Sequence, residues 1–167
     1  MEWERRFLLE RFPTGASVIR TRGIRDRYIE GTSLRLREQT EDNGSIVFKL
    51  TQKIRVRTRG AQQGTITTMC LSADEFRVFA QMPAATLSKT RYSIPPFGID
   101  VFAGGLEGLV LAEAEFNSAA EAQAPLPLPS FILAEVTEDD RFTGGRLVRA
   151  SREELKSWLM KFRIALK

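Results

Sequence analysis

Charged side chains recur at every second position along several β-like segments of this chain, and this alternation constrains the fold most. Residues two apart on a strand point to the same face of a sheet. The charges that share a face in this way are Glu2, Glu4 and Arg6; Arg35 and Arg37; Lys49 and Lys53; Lys89 and Arg91; and Glu113 and Glu115. The intervening positions are largely apolar or small. One strand face therefore suits packing under helices, and the other suits the lining of a wide, charged lumen.

Most of the chain is predicted to form strands. The β-branched or alternating runs that are bounded by turn residues cover residues 2–9, 17–21, 25–38, 46–53 with an extension to 57, 65–71, 88–94, 97–102, 110–116 and 134–139. Ser72 and Glu75 predict the start of a short helix that Pro83 stops, and residues 118–123 predict another. Ser151 and Glu154 form a capping box ahead of an amphipathic C-terminal helix.

These elements predict a mostly β, α+β fold. About eight or nine antiparallel strands with few helices favour a closed barrel with flanking helices. A chain of 167 residues has the length of one domain, so we expect a single domain over residues 1–167.

Composition excludes several kinds of site. The chain has no histidine and one cysteine, which excludes a Ser-His-Asp triad, a Cys-His nucleophile, an imidazole metal site and a cysteine zinc cluster. An enzyme with this composition works with carboxylates, Lys, Arg, Tyr or a metal held by oxygens. The single cysteine and an N-terminus without a signal peptide predict a cytoplasmic protein.

The charges on the strand faces suit a polyanion with a divalent metal. Cations from several strands neutralise phosphate oxygens, and carboxylates from others hold Mg²⁺ or Mn²⁺ between protein and phosphate.

Seven ordered blocks resemble the CYTH domains, the triphosphate tunnel metalloenzymes, from Glu2 to about Leu147. The blocks are Glu2-x-Glu4-x-Arg6 followed by Phe7-Leu8-Leu9; Tyr28-Ile29-x-Gly31-Thr32-x-Leu34-Arg35-Leu36-Arg37; Lys49-Leu50-Thr51-x-Lys53; Lys89-Thr90-Arg91-Tyr92; Ile99-Asp100-Val101-Phe102; Gly108-Leu109-x-Leu111-Ala112-Glu113-Ala114-Glu115; and Glu135-Val136-Thr137.

The resemblance implies a closed eight-stranded antiparallel tunnel and hydrolysis of a small triphosphate, such as tripolyphosphate, thiamine triphosphate or a nucleoside triphosphate. It implies Mg²⁺ or Mn²⁺ as cofactor, with metal ligands Glu2, Glu4, Asp100, Glu113 and Glu115. It implies triphosphate contacts from Arg6, Arg35, Arg37, Lys49, Lys53, Lys89 and Arg91. The residues expected to be catalytic are Glu2, Glu4, Arg6, Tyr28 and Lys53.

Two departures from the family pattern affect the expected chemistry. Arg6 stands where the family has lysine, and arginine binds phosphate well but cannot shift its pKa into a proton-transfer range. Residues 65–69 carry no acidic side chain where many members do, which weakens the case for a second metal.

Two alternatives remain open at this point. One is an adenylate cyclase of the same fold, and the other is a barrel that binds polyphosphate or RNA without turnover. Carboxylates among the cations argue against a nucleic-acid partner. The expected partner is therefore a small triphosphate, without nucleic acid or membrane, and the expected assembly is a monomer or a homodimer.

Overall fold

The structure is a computed structural model that describes the backbone of residues 2–56 and 63–166 and the side chains of residues 3–54 and 65–166. Nine strands follow one another in the chain, and they are β1 (Glu2–Leu9), β2 (Arg20–Ile29), β3 (Leu34–Glu41), β4 (Ile46–Val56), β5 (Gln63–Leu71), β6 (Ala84–Ile94), β7 (Phe97–Phe102), β8 (Val110–Phe116) and β9 (Ala134–Glu135). The helices are α1 (Ala73–Phe79), α2 (Ala119–Gln123), α3 (Gly144–Leu147) and α4 (Arg152–Met160). The predicted mostly β, α+β class is confirmed.

The strands form one sheet of nine in the order β5-β4-β3-β2-β6-β7-β8-β1-β9, with antiparallel neighbours. The first and eighth strands of this order also meet, because β1 pairs with β5 at two positions, Glu2 with Gly64 and Trp3 with Gln63. The β1–β8 ladder is longer and pairs seven residues on each strand.

Three predicted strands were wrong. Residues 17–21 do not form a strand of their own, because 17–19 are irregular and Arg20 begins β2. Residues 25–38 form a hairpin instead of one strand, because Gly31 adopts a φ of +70° in the turn and reverses the chain. The segment 134–139 is a strand only over Ala134–Glu135, after which the Val136 amide donates to the Arg6 carbonyl at 2.8 Å and the chain turns away. The predicted extension of β4 reaches Val56, and Arg57 lies outside the described residues.

Both predicted capping boxes are confirmed. Ser72 caps α1 with Glu75, and Ser151 caps α4 with Glu154. Leu155 and Leu159 of α4 are buried, as expected of an amphipathic helix packed on the sheet. Among the helices of the described residues, none is long and apolar enough to cross a membrane.

The inward strand face changes from charged to apolar along its length. The Leu8–Leu111 pair lies next to the Arg6–Glu113 pair on the same face of the β1–β8 ladder. Both leucines belong to a buried cluster with Phe102, Phe142 and Leu147. The segment around α3 therefore packs against one end of this face, and the charged portion of each strand remains available to line a cavity.

Candidate active site

The charged strand faces converge on a cavity of about 430 Å³. Its cationic lining comes from Arg6, Arg35, Arg37, Lys53, Lys89, Arg91 and Arg149. Its carboxylates are Glu4, Glu113 and Glu115, and Tyr28 lies among them. The period-two alternation thus brings side chains from six strands into one site.

The first wall is the β1–β8 ladder. Glu4 lies opposite Glu115, and Arg6 lies opposite Glu113. The Arg6 Nη2 group donates to Glu4 Oε1 at 2.6 Å, and Arg6 Nε lies 3.7 Å from Glu113 Oε1. Lys53 approaches the same Glu4 oxygen at 3.3 Å. Acids and cations of this wall are thus already paired in the protein alone.

The second wall is the β2–β3 hairpin, where Asp26 is buried. The register places Asp26 directly opposite Arg37, which donates to both carboxylate oxygens at 2.7 and 2.8 Å. Arg35 Nε lies 3.8 Å from the same carboxylate. A planar guanidinium held by two parallel bonds has little freedom to turn, so Asp26 fixes Arg37 toward the cavity.

The third wall joins β6, β7 and β8. Arg91 binds both oxygens of Asp100 at 2.6 Å and also donates to Glu113, and Lys89 donates to Asp100. The Arg91 side chain runs beside Gly98, and a Cβ there would make ordinary van der Waals contact with it at 3.4 Å. Asp100 is 1% exposed and does not line the cavity.

These contacts change the acidity of the site. Burial alone would raise the pKa of Glu113, but Arg91, Lys89 and Arg6 outweigh it and hold that pKa well below its usual range. Burial opposes the ionised form of Asp26 as well, and the hydrogen bonds and charge of Arg37 still lower its pKa. Burial lowers the pKa of Lys89 despite the attraction of Asp100.

Tyr28 lines the cavity beside the segment around α3. Burial, with the charge of Asp26, raises the pKa of Tyr28 to about 12. The phenol is therefore neutral at neutral pH. Its hydroxyl packs directly against Gly144 at the start of α3, where a Cβ would collide with it.

The structure brings most of the predicted site residues together. Those that line the cavity are Glu4, Arg6, Tyr28, Arg35, Arg37, Lys53, Lys89, Arg91, Glu113 and Glu115. Asp100 lies behind Lys89 and Arg91, and Lys49 lies on the inward face of β4 outside the lining. The Glu2 side chain lies outside the described residues. The individual roles of these residues stay predictions.

The carboxylates of the cavity fit a metal that is shared with phosphate. Among the described side chains, no three acidic or cysteine residues are close enough to form a metal cage. Mg²⁺ is usually held by one or two carboxylates plus substrate phosphates and water, so a complete cage is not required. Glu4, Glu113 and Glu115 supply oxygens of the right chemistry at neighbouring ladder positions.

Sequence reasoning gave no role to four residues that contribute to the site. Asp26 is two residues from Tyr28 and therefore shares its face, but its burial depends on the hairpin register. Thr137 is buried and accepts a hydrogen bond from the Arg6 amide at 3.0 Å. Gly144 and Arg149 line the cavity from a segment outside the strands, where the alternation of charged residues gives no information.

Comparisons with known proteins find relatives over most of the chain. The chain is 34% identical over 149 residues to an inorganic triphosphatase of Nitrosomonas europaea, covering 84% of this chain and 92% of that protein. The crystal structure of the inorganic triphosphatase NE1496 superposes with a TM-score of 0.57 at 27% identity, covering 90% of this chain and 95% of that one.

A more distant structure shares the fold alone. The PH1819 protein from Pyrococcus horikoshii OT3 superposes with a TM-score of 0.54 at 15% identity, covering 98% of this chain and 91% of that one. No protein-family model matches the chain.

Proposed function

Because the chain belongs to the family of the inorganic triphosphatase from Nitrosomonas europaea, we propose that it is a metal-dependent hydrolase of a small triphosphate. The substrate lies in the basic cavity between the strands. The observation that carries the proposal is the meeting of cations and carboxylates from β1, β3, β4, β6 and β8 in this one cavity. Phosphoryl transfer needs positioning and charge neutralisation more than covalent catalysis, and a site without histidine can supply both.

The proposal includes the CYTH tunnel as the architecture. Two residue pairs between β1 and β5 join the ends of an eight-strand run, and they support closure of the sheet. A closed sheet surrounds a short polyanion with cations on all sides, whereas an open sheet reaches it from one side. Six of the seven sequence blocks lie mainly on the eight strands that would form this tunnel or on the β2–β3 hairpin turn, and the seventh begins at the end of β9.

The cations are assigned to the phosphate chain. Arg35 and Arg37 lie on neighbouring inward positions of β3, and Lys53 faces them from β4. Lys89 and Arg91 do the same from β6. Arg37 and Arg91 present guanidinium groups that buried aspartates already orient, which lowers the ordering cost of binding the triphosphate.

The carboxylates are assigned to Mg²⁺ or Mn²⁺. Glu4, Glu113 and Glu115 would hold the ion, with Glu2 of β1 as the expected addition. Asp100 is not proposed as a ligand, because it is buried outside the cavity and both its oxygens accept from Arg91 and Lys89. When bound, the ion neutralises charge on the phosphates and lowers the pKa of a coordinated water. Arg6 anchors Glu4 but cannot act as a base, because a guanidinium stays protonated. Tyr28, with its pKa about 12, serves as a hydrogen-bond donor.

The test is a phosphate-release assay on tripolyphosphate, thiamine triphosphate, ATP and pyrophosphate, each with Mg²⁺ or Mn²⁺. We expect tripolyphosphate or another triphosphate to be hydrolysed, excess chelator to stop the reaction, and Glu4→Gln to abolish it. Glu135→Gln is the matched control, because Glu135 pairs with Arg5 away from the cavity. Full turnover in excess chelator would disprove the metal requirement, and no turnover of any substrate would disprove the hydrolase.

A further inference from the structure

Arg6 lies between the two acids that the proposed function gives to the metal. Its side chain is 2% exposed, its Nη2 donates to Glu4 Oε1 at 2.6 Å, and its Nε lies 3.7 Å from Glu113 Oε1. The Thr137 hydroxyl accepts the Arg6 amide hydrogen at 3.0 Å and holds the backbone in place. The guanidinium therefore occupies the space where a cation would balance both carboxylates.

One nitrogen of this guanidinium donates no hydrogen bond within the described part of the protein. Arg6 Nη1 is buried and has no hydrogen-bond partner there, and Arg6 lines the cavity. A buried donor without a partner costs free energy, which a ligand oxygen can recover. Arg6, a residue of the cavity lining, thus combines a hydrogen-bonded anchor on Glu4 with a buried donor that has no partner among the described residues.

We propose that Arg6 takes the charge position of a resident metal, so that the divalent cation enters only when it is already chelated by the triphosphate. This inference rests on the proposed function. In the free protein, Glu4 and Glu113 are neutralised by Arg6, Lys53 and Arg91. In the complex, a phosphoryl oxygen would accept from Arg6 Nη1, and Glu4 and Glu113 would help to hold the ion.

The positive charges around Glu4 and Glu113 explain why a free divalent cation should bind weakly. A bare divalent cation at Glu4 or Glu113 would lie beside Arg6, Lys53 and Arg91, and like charges at such short range repel one another. The same ion carried by a triphosphate brings more negative charge than positive. Mg²⁺ also keeps phosphates and waters as most of its ligands, so it needs few of the paired carboxylate oxygens.

The native protein provides the first measurement. Equilibrium dialysis with Mn²⁺, followed by electron paramagnetic resonance of the bound ion, is carried out with and without imidotriphosphate, a hydrolysis-resistant triphosphate. We expect Mn²⁺ alone to bind about tenfold or more weakly than Mn²⁺ with imidotriphosphate. Equal binding in the two conditions would overturn the inference and leave the hydrolase proposal standing.

The Arg6→Gln variant provides the second measurement. Removing the guanidinium takes away the cation that Glu4 and Glu113 share and leaves Lys53 and Arg91 as their partners. Mn²⁺ alone should therefore bind about tenfold or more tightly than to the native protein. Arg5→Gln is the matched control, because Arg5 is adjacent on β1, points to the opposite face and pairs with Glu135. We expect Arg5→Gln to bind Mn²⁺ as the native protein does.

The outcomes separate the two proposals. Unchanged Mn²⁺ binding in folded Arg6→Gln would overturn the role of Arg6. If Arg6→Gln does not fold, the comparison in the native protein still decides. Failure of imidotriphosphate to bind the native protein with or without Mn²⁺ would overturn the proposed function itself.

Discussion

Asp26 is the buried charge on which the arginines of β3 depend. It is 1% exposed, binds Arg37 through two hydrogen bonds and lies 3.8 Å from Arg35 Nε. Asp26→Asn removes the negative charge and leaves Arg37 buried without a counterion. We expect a loss of about 3–5 kcal/mol in the free energy of unfolding, as is typical when one partner of a buried pair is removed. Urea denaturation measures this loss.

An exposed ion pair gives the control for Asp26→Asn. Asp74 pairs with Arg77 on α1, where both side chains are largely exposed. Asp74→Asn should change stability by only about 0.5 kcal/mol, because water screens surface pairs. A similar loss in the two variants would mean that Asp26 is not a structural counterion.

The phosphate contacts give a second prediction at the scale of single residues. Arg35→Ala, Arg37→Ala and Lys53→Ala should each weaken tripolyphosphate binding by roughly 1.5–3 kcal/mol, the usual worth of a charge-assisted hydrogen bond. Calorimetric titration measures the change, and Arg77→Ala on exposed α1 serves as the control. Unchanged binding in all three variants would place these residues outside the substrate site.

The start of α3 and the ring of Tyr28 are packed without spare room. A Cβ at Gly144 would collide with the Tyr28 hydroxyl and lie 3.0 Å from Cζ, whereas a Cβ at Gly145 would lie 4.0 Å from Cε1. We expect Gly144→Ala to cost about 1–3 kcal/mol through overpacking. Gly145→Ala, one residue along the same helix, should be tolerated.

Removal of the Tyr28 hydroxyl tests the cause of this cost. In the Gly144→Ala background, Tyr28→Phe removes the atom that a Cβ would meet first and should recover part of the lost stability in urea denaturation. Equal stability of Gly144→Ala and Gly145→Ala would show that α3 moves freely over the cavity.

Single elements were predictable where local signals and packing agree. The capping boxes of α1 and α4 are read directly from Ser72 with Glu75 and Ser151 with Glu154. The β2–β3 hairpin was not, because residues 25–38 have strand-like composition on both sides of Gly31. The reversal depends on a positive φ at one glycine, and strand propensity does not register such a change.

The alternation of side chains along the strands predicted which residues line the site, but it could not predict which acids and cations pair with one another. The period of two placed Arg6, Arg37, Arg91 and Glu113 on inward faces, and all four line the cavity. Asp100 shows the limit: the family resemblance implied a metal ligand, yet register and depth made it a buried partner of Lys89 and Arg91. Such depth is a property of the assembled sheet and not of any one strand.

Ligand binding should stabilise the whole molecule. A bound metal-triphosphate relieves repulsion among the cavity cations, and mass action gives about 2.7 kcal/mol at a ligand concentration of 100 times the dissociation constant. We expect a rise of several degrees in Tm with imidotriphosphate and Mg²⁺ together. Single-stranded RNA should not raise Tm. A Tm that rises with RNA and not with metal-triphosphate would favour the nucleic-acid-binding barrel.

The buried carboxylates predict how the stability of the molecule depends on acid. The pKa values of Asp26 and Glu113 are lowered in the fold from ordinary values of 3.8 and 4.5, with Arg37, Arg91 and Lys89 outweighing the effect of burial. As the pH falls, the unfolded chain takes up these protons first. The stabilisation is therefore fully present above about pH 5 and lost progressively below 4.5.

The slope of this loss can be assigned to one side chain. A single carboxyl of this kind contributes up to about 1.4 kcal/mol per pH unit while only the unfolded chain is protonated. Urea denaturation between pH 3 and 7 should show a shallower acid slope for Glu113→Gln than for the native protein. Glu30→Gln, at an exposed turn position, should keep the native slope. If Glu113→Gln kept the native slope as well, the acid sensitivity would come from elsewhere, because a glutamine cannot take up the proton on which this part of the slope depends.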